Sequence, residues 1–471
     1  MNFIQLIYDS CKNNPGRELI HWPDSSHFPV TTSDSLLRDI HYRRIVFRIA
    51  GFKSGNRVML VQPVSPDILG TMLALMAEGC AVVAPPARAG WRFFFDVRRQ
   101  AGVDAVVMVP GVSRLLRVLL WMLRIPTLRF PDQQRVVLDL PENQPVAVSD
   151  EAIALISFSS GSTRKSQPIL RTHGVLRAQH EAIGRQFPAF EGQMDLPLFP
   201  NILLHHLASG SSCVIPDIPK WKLTELDPER IFTQIEHKGV NTLTGNVYYF
   251  KTLTTAAKGR HFTEVKACGI GGSPVQEDLL AQVQNLFPNA ACYVIYGATE
   301  AEPIAVRLCQ DSPNSWKGYA VGKPVEGIEI KLNDPFLLQL GSENQVNAAE
   351  IHVRGAHVIS GSEDWHPTGD FGYLQEGQLF LTGRRGNETV IEGWQHYPIE
   401  HALRLLPGVN QVAAIPRLGV FTIHYSGTCS VEELRAHLLE KLPAKLVGKM
   451  VKHQALPVDQ RHLSKILYQQ I

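Results

Sequence analysis

Several short stretches of this chain carry side chains whose types and spacing can handle phosphate and carboxylate groups. The first is Ser159-Ser160-Gly161-Ser162-Thr163, followed by Arg164 and Lys165. Successive backbone N–H groups and hydroxyls in such a loop can face one anion, and Gly161 permits close approach. The second is a glycine-rich turn, Gly271-Gly272-Ser273-Pro274. The third, Tyr296-Gly297-Ala298-Thr299-Glu300, combines an aromatic face, a tight turn, a hydroxyl and a carboxylate. Glu300 is the candidate metal ligand, because Mg²⁺ prefers carboxylate and phosphate oxygens. Thr368-Gly369-Asp370 is expected to place another carboxylate on a turn, suited to a ribose diol. Gly383-Arg384 offers a guanidinium for phosphate or ribose oxygens. Lys465 follows near the end, in Leu456-Pro-Val-Asp-Gln-Arg-His-Leu-Ser-Lys-Ile466.

Each stretch also has a plainer reading. A loop of small residues can be a solvated turn between two strands, and this one is neither a Walker A loop nor a dinucleotide fingerprint. A Gly-Ala-Thr-Glu turn can simply cap a helix, Thr-Gly-Asp turns are common, and a lysine near a C-terminus is usually solvated. What gives the set meaning is its order along the chain.

The elements that must position these residues follow from apolar patterning. Ile153–Ile156 reads as a buried strand entering the serine-rich loop, with Ile169-Leu170 as a short apolar pair beyond it. Val58–Val61, Ala81–Ala84 and Asp104–Val109 read as strands, with a helix over Pro66–Glu78 between the first two. That spacing favours a parallel sheet covered by helices. Ser212–Ile215 is a further strand, and Asp227–His237 a helix that begins just before Pro228. Glu264–Pro274 runs as a strand into the glycine-rich turn, and Asn289–Glu300 is another strand ending in a turn. Ligands of open α/β sheets bind beyond the carboxyl ends of strands, where these turns would lie. Ile328–Leu332, Glu350–Val353 and Gln378–Thr382 form a β-rich segment. After Arg384-Arg385-Gly386-Asn387, short strands and helices predict a small α+β domain. The expected fold is therefore α/β: a large N-terminal domain, residues 1–384, of mixed and parallel sheets flanked by helices, with its β-rich segment. A small α+β C-terminal domain, residues 385–471, completes it.

Residues 112–125 form a strongly apolar helix carrying Arg114, Arg117 and Arg124. It reads either as a surface helix packed on the core or as an interfacial helix that collects a lipid substrate from a membrane. The remaining totals bound the class. A chain of 471 residues is long enough for two domains, and 44% apolar with 19% charged residues describes a soluble globular protein. Near balance between 46 basic and 44 acidic residues gives no reason to expect nucleic acid as a partner. Seven scattered cysteines without a CxxC pair point to a reducing compartment rather than a disulfide framework or zinc site. No signal-peptide pattern opens the sequence and no long uncharged apolar run follows, so a cytoplasmic location is expected.

Taken in order, these stretches resemble the acyl-adenylate-forming superfamily of acyl-CoA synthetases, peptide-synthetase adenylation domains and luciferases, over nearly the whole chain. The resemblance implies ATP and Mg²⁺ as cofactors and assigns roles. Ser159, Ser160, Gly161, Ser162 and Thr163 would grip the ATP phosphates, with Arg164 or Lys165 meeting pyrophosphate. Gly271, Gly272, Ser273 and Pro274 would flank the adenine, and Tyr296 would stack near it beside Gly297. Thr299 and Glu300 would contact phosphate and Mg²⁺, Asp370 the ribose, and Arg384 would precede the hinge. Lys465 would be the mobile catalytic lysine. Asp195–Pro200, Val214–Asp217, Tyr296–Ala301, the arginine-rich helix and Pro457–Ile466 are similar, more narrowly, to the β-lactone synthetases of long-chain olefin biosynthesis. The implied activity is ATP-dependent activation of a carboxylic acid, fatty or 3-hydroxy fatty, as acyl-AMP. A β-lactone follows, or a thioester with CoA or a carrier-protein thiol. Phe199, Leu203, Leu204 and Val247–Phe250 are either the acyl pocket or ordinary core. Of the adjacent His205 and His206, at least one is structural. Departures from the family pattern motivate a second expectation, a relative that binds nucleotide or acyl chains without turnover. Arg164, Ser166 and Gln167 replace the loop's usual glycine, proline and lysine. Asn387 stands at the hinge, and Ala349 replaces a glycine before Glu350.

Overall fold

Alternating and continuous apolar runs become strands, and capped amphipathic runs become helices, in a computed structural model of the chain. It describes residues 1–23, 30–60, 65–85, 91–108, 127–129, 144–158, 167–309, 316–341, 344–359, 364–460 and 462–471. The loop candidates Ser159, Ser160, Gly161, Ser162, Thr163 and Lys165 lie outside the described residues, as does the helix expected over 112–125. Two compact units divide at the Val240/Asn241 junction.

In the first unit the strands are β1 (Glu18–His21), β2 (Val30–Thr32), β3 (Arg57–Leu60), β4 (Ala81–Val83), β5 (Ala105–Met108) and β6 (Thr127–Arg129). They continue with β7 (Ile153–Phe158), β8 (Pro168–Thr172), β9 (Met194–Pro197) and β10 (Ser212–Val214). A six-stranded sheet has the order β6-β5-β3-β4-β7-β8. It is parallel through β7, and β8 returns antiparallel with Pro168 opposite Phe158. A parallel sheet needs helical crossovers. The helix Pro66–Ala77 supplies one, started by Ser65, whose hydroxyl accepts from Ile68 N–H. The helix Ser33–Ile49 packs beside it and carries a buried charged cluster. Arg44 Nε meets Glu78 Oε1 at 2.5 Å, and Arg44 also donates to Tyr8 Oη (3.2 Å) and Gln144 O (2.9 Å). Arg48 meets both Glu78 oxygens, Oε1 at 2.8 Å and Oε2 at 2.9 Å.

The second unit holds β11 (Thr242–Asn246), β12 (Ala267–Gly271), β13 (Ala291–Ala298), β14 (Ala301–Leu308), β15 (Tyr319–Pro324), β16 (Ile328–Gln339), β17 (Gln345–Gly355), β18 (His366–Gln375) and β19 (Gln378–Arg384). Neighbours run β16-β17-β18-β19-β15-β14-β13-β12-β11. β11, β12 and β13 are parallel, and every later pair is antiparallel. The expected β-rich segment is present, with each strand longer than its apolar run. Beyond it, β20 (Val409–Arg417), β21 (Val420–Gly427) and β22 (Val447–Lys452) make a three-stranded sheet with the helices His396–Arg404 and Val431–Leu439. This is the small α+β substructure that the sequence predicts. Ser430 and Glu433 close a capping box on the second helix. One expectation needs correction: Asp370 is not on a turn but inside β18. Gly369 there has φ +74°, and Thr368 Oγ1 accepts from Asp370 N–H while donating to Ile351 O. The kink has turn chemistry, yet the ladder continues through it.

Candidate active site

The parallel strands β11 and β12 end level with each other, β13 runs three residues further, and their carboxyl ends carry the candidate residues. β12 runs into Gly271, where a Cβ would lie 2.7 Å from Ile295 O of β13, so only glycine lets the strands close. Gly272, Ser273 and Pro274 follow immediately. β13 and β14 form a tight hairpin in which Ala298 pairs with Ala301, leaving Thr299 and Glu300 at its tip. The Gly-Ala-Thr-Glu stretch therefore turns a hairpin rather than capping a helix. A bulge between Tyr296 and Ala298 re-aims the strand end.

Asp370 is paired in register with Arg384 at the end of β19. Its two oxygens differ. Oδ2 accepts from Tyr296 Oη at 2.9 Å, whereas Oδ1 lies 3.2 Å from an Arg384 terminal nitrogen without an aligned hydrogen bond. The residue is only 4% exposed. A buried carboxylate oxygen that keeps an open lone pair fits a ribose hydroxyl. Burial, and then the Asp370 charge, hold the Tyr296 phenol protonated well above its ordinary range. Tyr296 thus steadies Asp370 through its hydroxyl, a part that its expected position near the base does not foresee.

A second layer stands behind this pair. The Arg384 backbone N–H donates to His396 Nε2 at 3.0 Å, so the His396 proton sits on Nδ1 and meets Glu400 Oε1 at 3.1 Å. Glu400 also accepts from Ala414 N–H and from Tyr468 Oη, the latter at 2.9 Å. His401, on the same helix, is 1% exposed with neither ring nitrogen partnered; burial, helped by Arg307 and Arg404, pushes its pKa down to about 4. Asn387 is buried, its side chain donating to Ala414 O at 3.0 Å beside Gly386 at φ +98°. None of His396, Glu400 or Tyr468 stands out in the sequence, since a His-x-x-x-Glu spacing reads only as one helix face.

The stretch holding Lys465 lies against the glycine-rich turn, where Ser273 Oγ donates to Ser464 Oγ at 2.9 Å. Gly271–Pro274, Tyr296–Glu300, Asp370, Arg384 and Lys465 all belong to the second unit. Among the described residues no three His, Cys, Asp or Glu side chains converge as a metal cage. Glu300 would hold Mg²⁺ as one carboxylate, with substrate phosphates and water completing the shell, the manner usual for this ion. In the first unit, His206 Nε2 bonds buried Asp195 at 2.8 Å, and burial lowers the His205 pKa to about 3. Both histidines are buried, as are Leu203 and Leu204 in a core cluster of the first unit and Tyr249 and Phe250 in the second unit. All seven cysteines are free thiols.

Residues 44–362 match the model of the AMP-binding enzyme family. The chain belongs to that family. Among AMP-binding relatives, the olefin beta-lactone synthetase of Stenotrophomonas maltophilia is 27% identical over 368 residues, covering 68% of this chain and 66% of that protein. The corresponding Xanthomonas campestris protein is 24% identical, covering 67% and 65%. The chain thus spans just under two thirds of the length of these relatives. A putative acyl–CoA ligase of Bacillus subtilis is 25% identical over 298 residues, covering 59% and 57%. Solved structures share the fold. The amide bond synthetase McbA of Marinactinospora thermotolerans superposes with a TM-score of 0.81 at 19% identity, covering 98% of each chain. The o-succinylbenzoate coenzyme A synthetase of Bacillus subtilis, solved with ATP and magnesium ion, gives 0.78 at 17% identity, covering 99% and 98%. Among the described residues no helix is long and apolar enough to cross a membrane.

Proposed function

We propose that this chain uses ATP and Mg²⁺ to activate a fatty or 3-hydroxy fatty acid as acyl-AMP, then releases it as a β-lactone or a thioester. The observation that carries this reading is the seating of the Lys465 stretch on the Gly271–Pro274 turn, together with an Asp370 oxygen that keeps an open lone pair. The substrate carboxylate attacks the α-phosphorus and pyrophosphate leaves, so the protein's task is to align two anions and neutralise charge. Mg²⁺ supplies part of that neutralisation on the phosphate oxygens. Asp370 orients the ribose, Tyr296 fixes Asp370, Glu300 and Thr299 face the phosphates, and Lys465 sits between carboxylate and α-phosphate. The serine-rich loop, Ser159–Thr163 with Lys165, holds the departing pyrophosphate. A lid of residues 385–471, turning at Gly386-Asn387, then exposes the acyl-AMP to the substrate's own β-hydroxyl or to a CoA or carrier-protein thiol.

ATP–pyrophosphate exchange over fatty and 3-hydroxy fatty acids tests the reading, and mass spectrometry of the products separates lactone from thioester. A second reading, binding without turnover, is motivated by Arg164 and Gln167 in the phosphate loop. Tight AMP binding with no exchange for any acid would establish it.

A further inference from the structure

The residues around Lys465 fold back on themselves. Val458 bridges to Ile466, Asp459 N–H donates to Lys465 O at 2.9 Å, and Leu467 N–H donates to Pro457 O at 2.9 Å. The Asp459 carboxylate fills the loop from inside, accepting from His462 N–H (2.8 Å) and Lys465 N–H (3.1 Å). Leu463 takes a left-handed conformation at φ +54° to close it. The loop therefore holds its shape through its own hydrogen bonds.

Its seat is made by different groups. Asn246, at the carboxyl end of β11, is 1% exposed and donates through Nδ2 to His462 O at 3.1 Å. The same carbonyl accepts from Ser464 Oγ at 3.2 Å, and Ser464 Oγ in turn accepts from Ser273 at 2.9 Å. Asn246 has a second duty: its Oδ1 accepts from Tyr249 N–H at 2.8 Å and caps the helix Val247–Ala256. The cap fixes the orientation of the amide, since a flip would turn N–H against N–H. Aspartate would cap equally well but has no proton to give the tail. The asparagine thus satisfies two demands that only a donor-and-acceptor side chain can meet together.

We propose that Asn246 and Ser464 are positioning residues, a latch that seats the Lys465 loop over the carboxyl ends of β11 and β12 and so sets the geometry of acyl-AMP formation. This rests on the function proposed above. Ser464 adjoins Lys465 in sequence, so loss of the seat displaces the ammonium, and a displacement of about 1 Å can cost roughly a hundredfold in rate.

Asn246→Asp keeps the cap and turns the outward donor into an anionic acceptor facing the His462 carbonyl; Ser464→Ala removes the hydroxyl bridge from the tail side. Each is measured in the full chain by ATP–pyrophosphate exchange with dodecanoic and 3-hydroxydodecanoic acid, AMP affinity, melting temperature, turnover of supplied acyl-AMP, and tryptic cleavage after Lys465. The expected result is a fall in exchange of about tenfold or more, with AMP affinity and acyl-AMP turnover unchanged, melting temperature unchanged in Ser464→Ala, and cleavage accelerated. The double variant should be little worse than the worse single one, because both act through one seat. Where the wild type exchanges, an undiminished rate in Asn246→Asp overturns the proposal, whatever the cleavage rate. So does a parallel fall of exchange, AMP affinity and melting temperature, which marks a merely structural cap. Faster cleavage in variants of a chain whose wild type exchanges with no acid upholds the latch and overturns the adenylation reading instead.

Discussion

The first unit buries Arg44 against Glu78, and the second buries Asp370 beside Arg384. Both are arginine–carboxylate pairs with the carboxylate buried, but Arg384 is partly exposed where Arg44 is not, and they are finished differently. Glu78 receives Arg44 and Arg48 on its two oxygens, and Arg44 uses its remaining nitrogens on Tyr8 and Gln144. Asp370 receives Tyr296 on one oxygen and leaves the other without an aligned donor. Removing one member of a saturated buried pair strands its partner, whereas an oxygen already open is a place for a ligand. The same pairing of guanidinium with carboxylate is closed on itself in one unit and left with an open oxygen in the other.

The largest effect should come from breaking the saturated pair. Glu78→Ala is expected to cost about 3–5 kcal/mol of unfolding free energy by chemical denaturation, because Arg44 is left buried and uncompensated. AMP affinity of the folded fraction should not change. Lys465→Ala should lower pyrophosphate release by about 10²–10³ with the circular dichroism spectrum unaltered, the usual scale for one strong contact to developing charge. Asp370→Asn should weaken AMP binding by roughly tenfold to a hundredfold in calorimetry, since a hydrogen bond to a charged group is worth about 1.5–3 kcal/mol. Its melting temperature should stay near wild type, in contrast to Glu78→Ala.

The mildest perturbation is pH. Burial depresses both His173 in the first unit and His401 in the second to about 4. Below an unfolded value near 6.5 the denatured chain binds a proton that the folded chain refuses, so stability present at neutral pH is lost as pH falls from about 6.5 toward 4. Each histidine should contribute on the order of 1 kcal/mol of loss between pH 6.5 and 5.5. Asn or Gln at either position should flatten that part of the curve.

Two pieces of the second unit's candidate site are legible in the sequence because each ends an apolar strand. Gly271–Pro274 and Tyr296–Glu300 are marked by glycine where backbones meet, and the strands before them are unmistakably apolar. Asp370 misleads because Thr-Gly-Asp has the composition of a turn, and only its pairing with Arg384 of β19 keeps it in a strand. Asn246 escapes notice because its neighbours Val247–Phe250 draw attention as apolar, while its partner, His462, lies far along the chain. Contacts between distant segments leave no periodic trace. His396 and Glu400 are missed for the same reason, since what they hold is the backbone of Arg384 and the phenol of Tyr468.

The self-closed loop carrying Lys465 has a bearing on how often the lysine can be used. A floppy tail would surrender conformational freedom at every arrival, whereas a preformed hook surrenders almost none. In the proposed cycle only the few side-chain contacts at its seat would be remade. Reversibility would thereby be built in, with a grip firm enough to aim a charge and slight enough to let go.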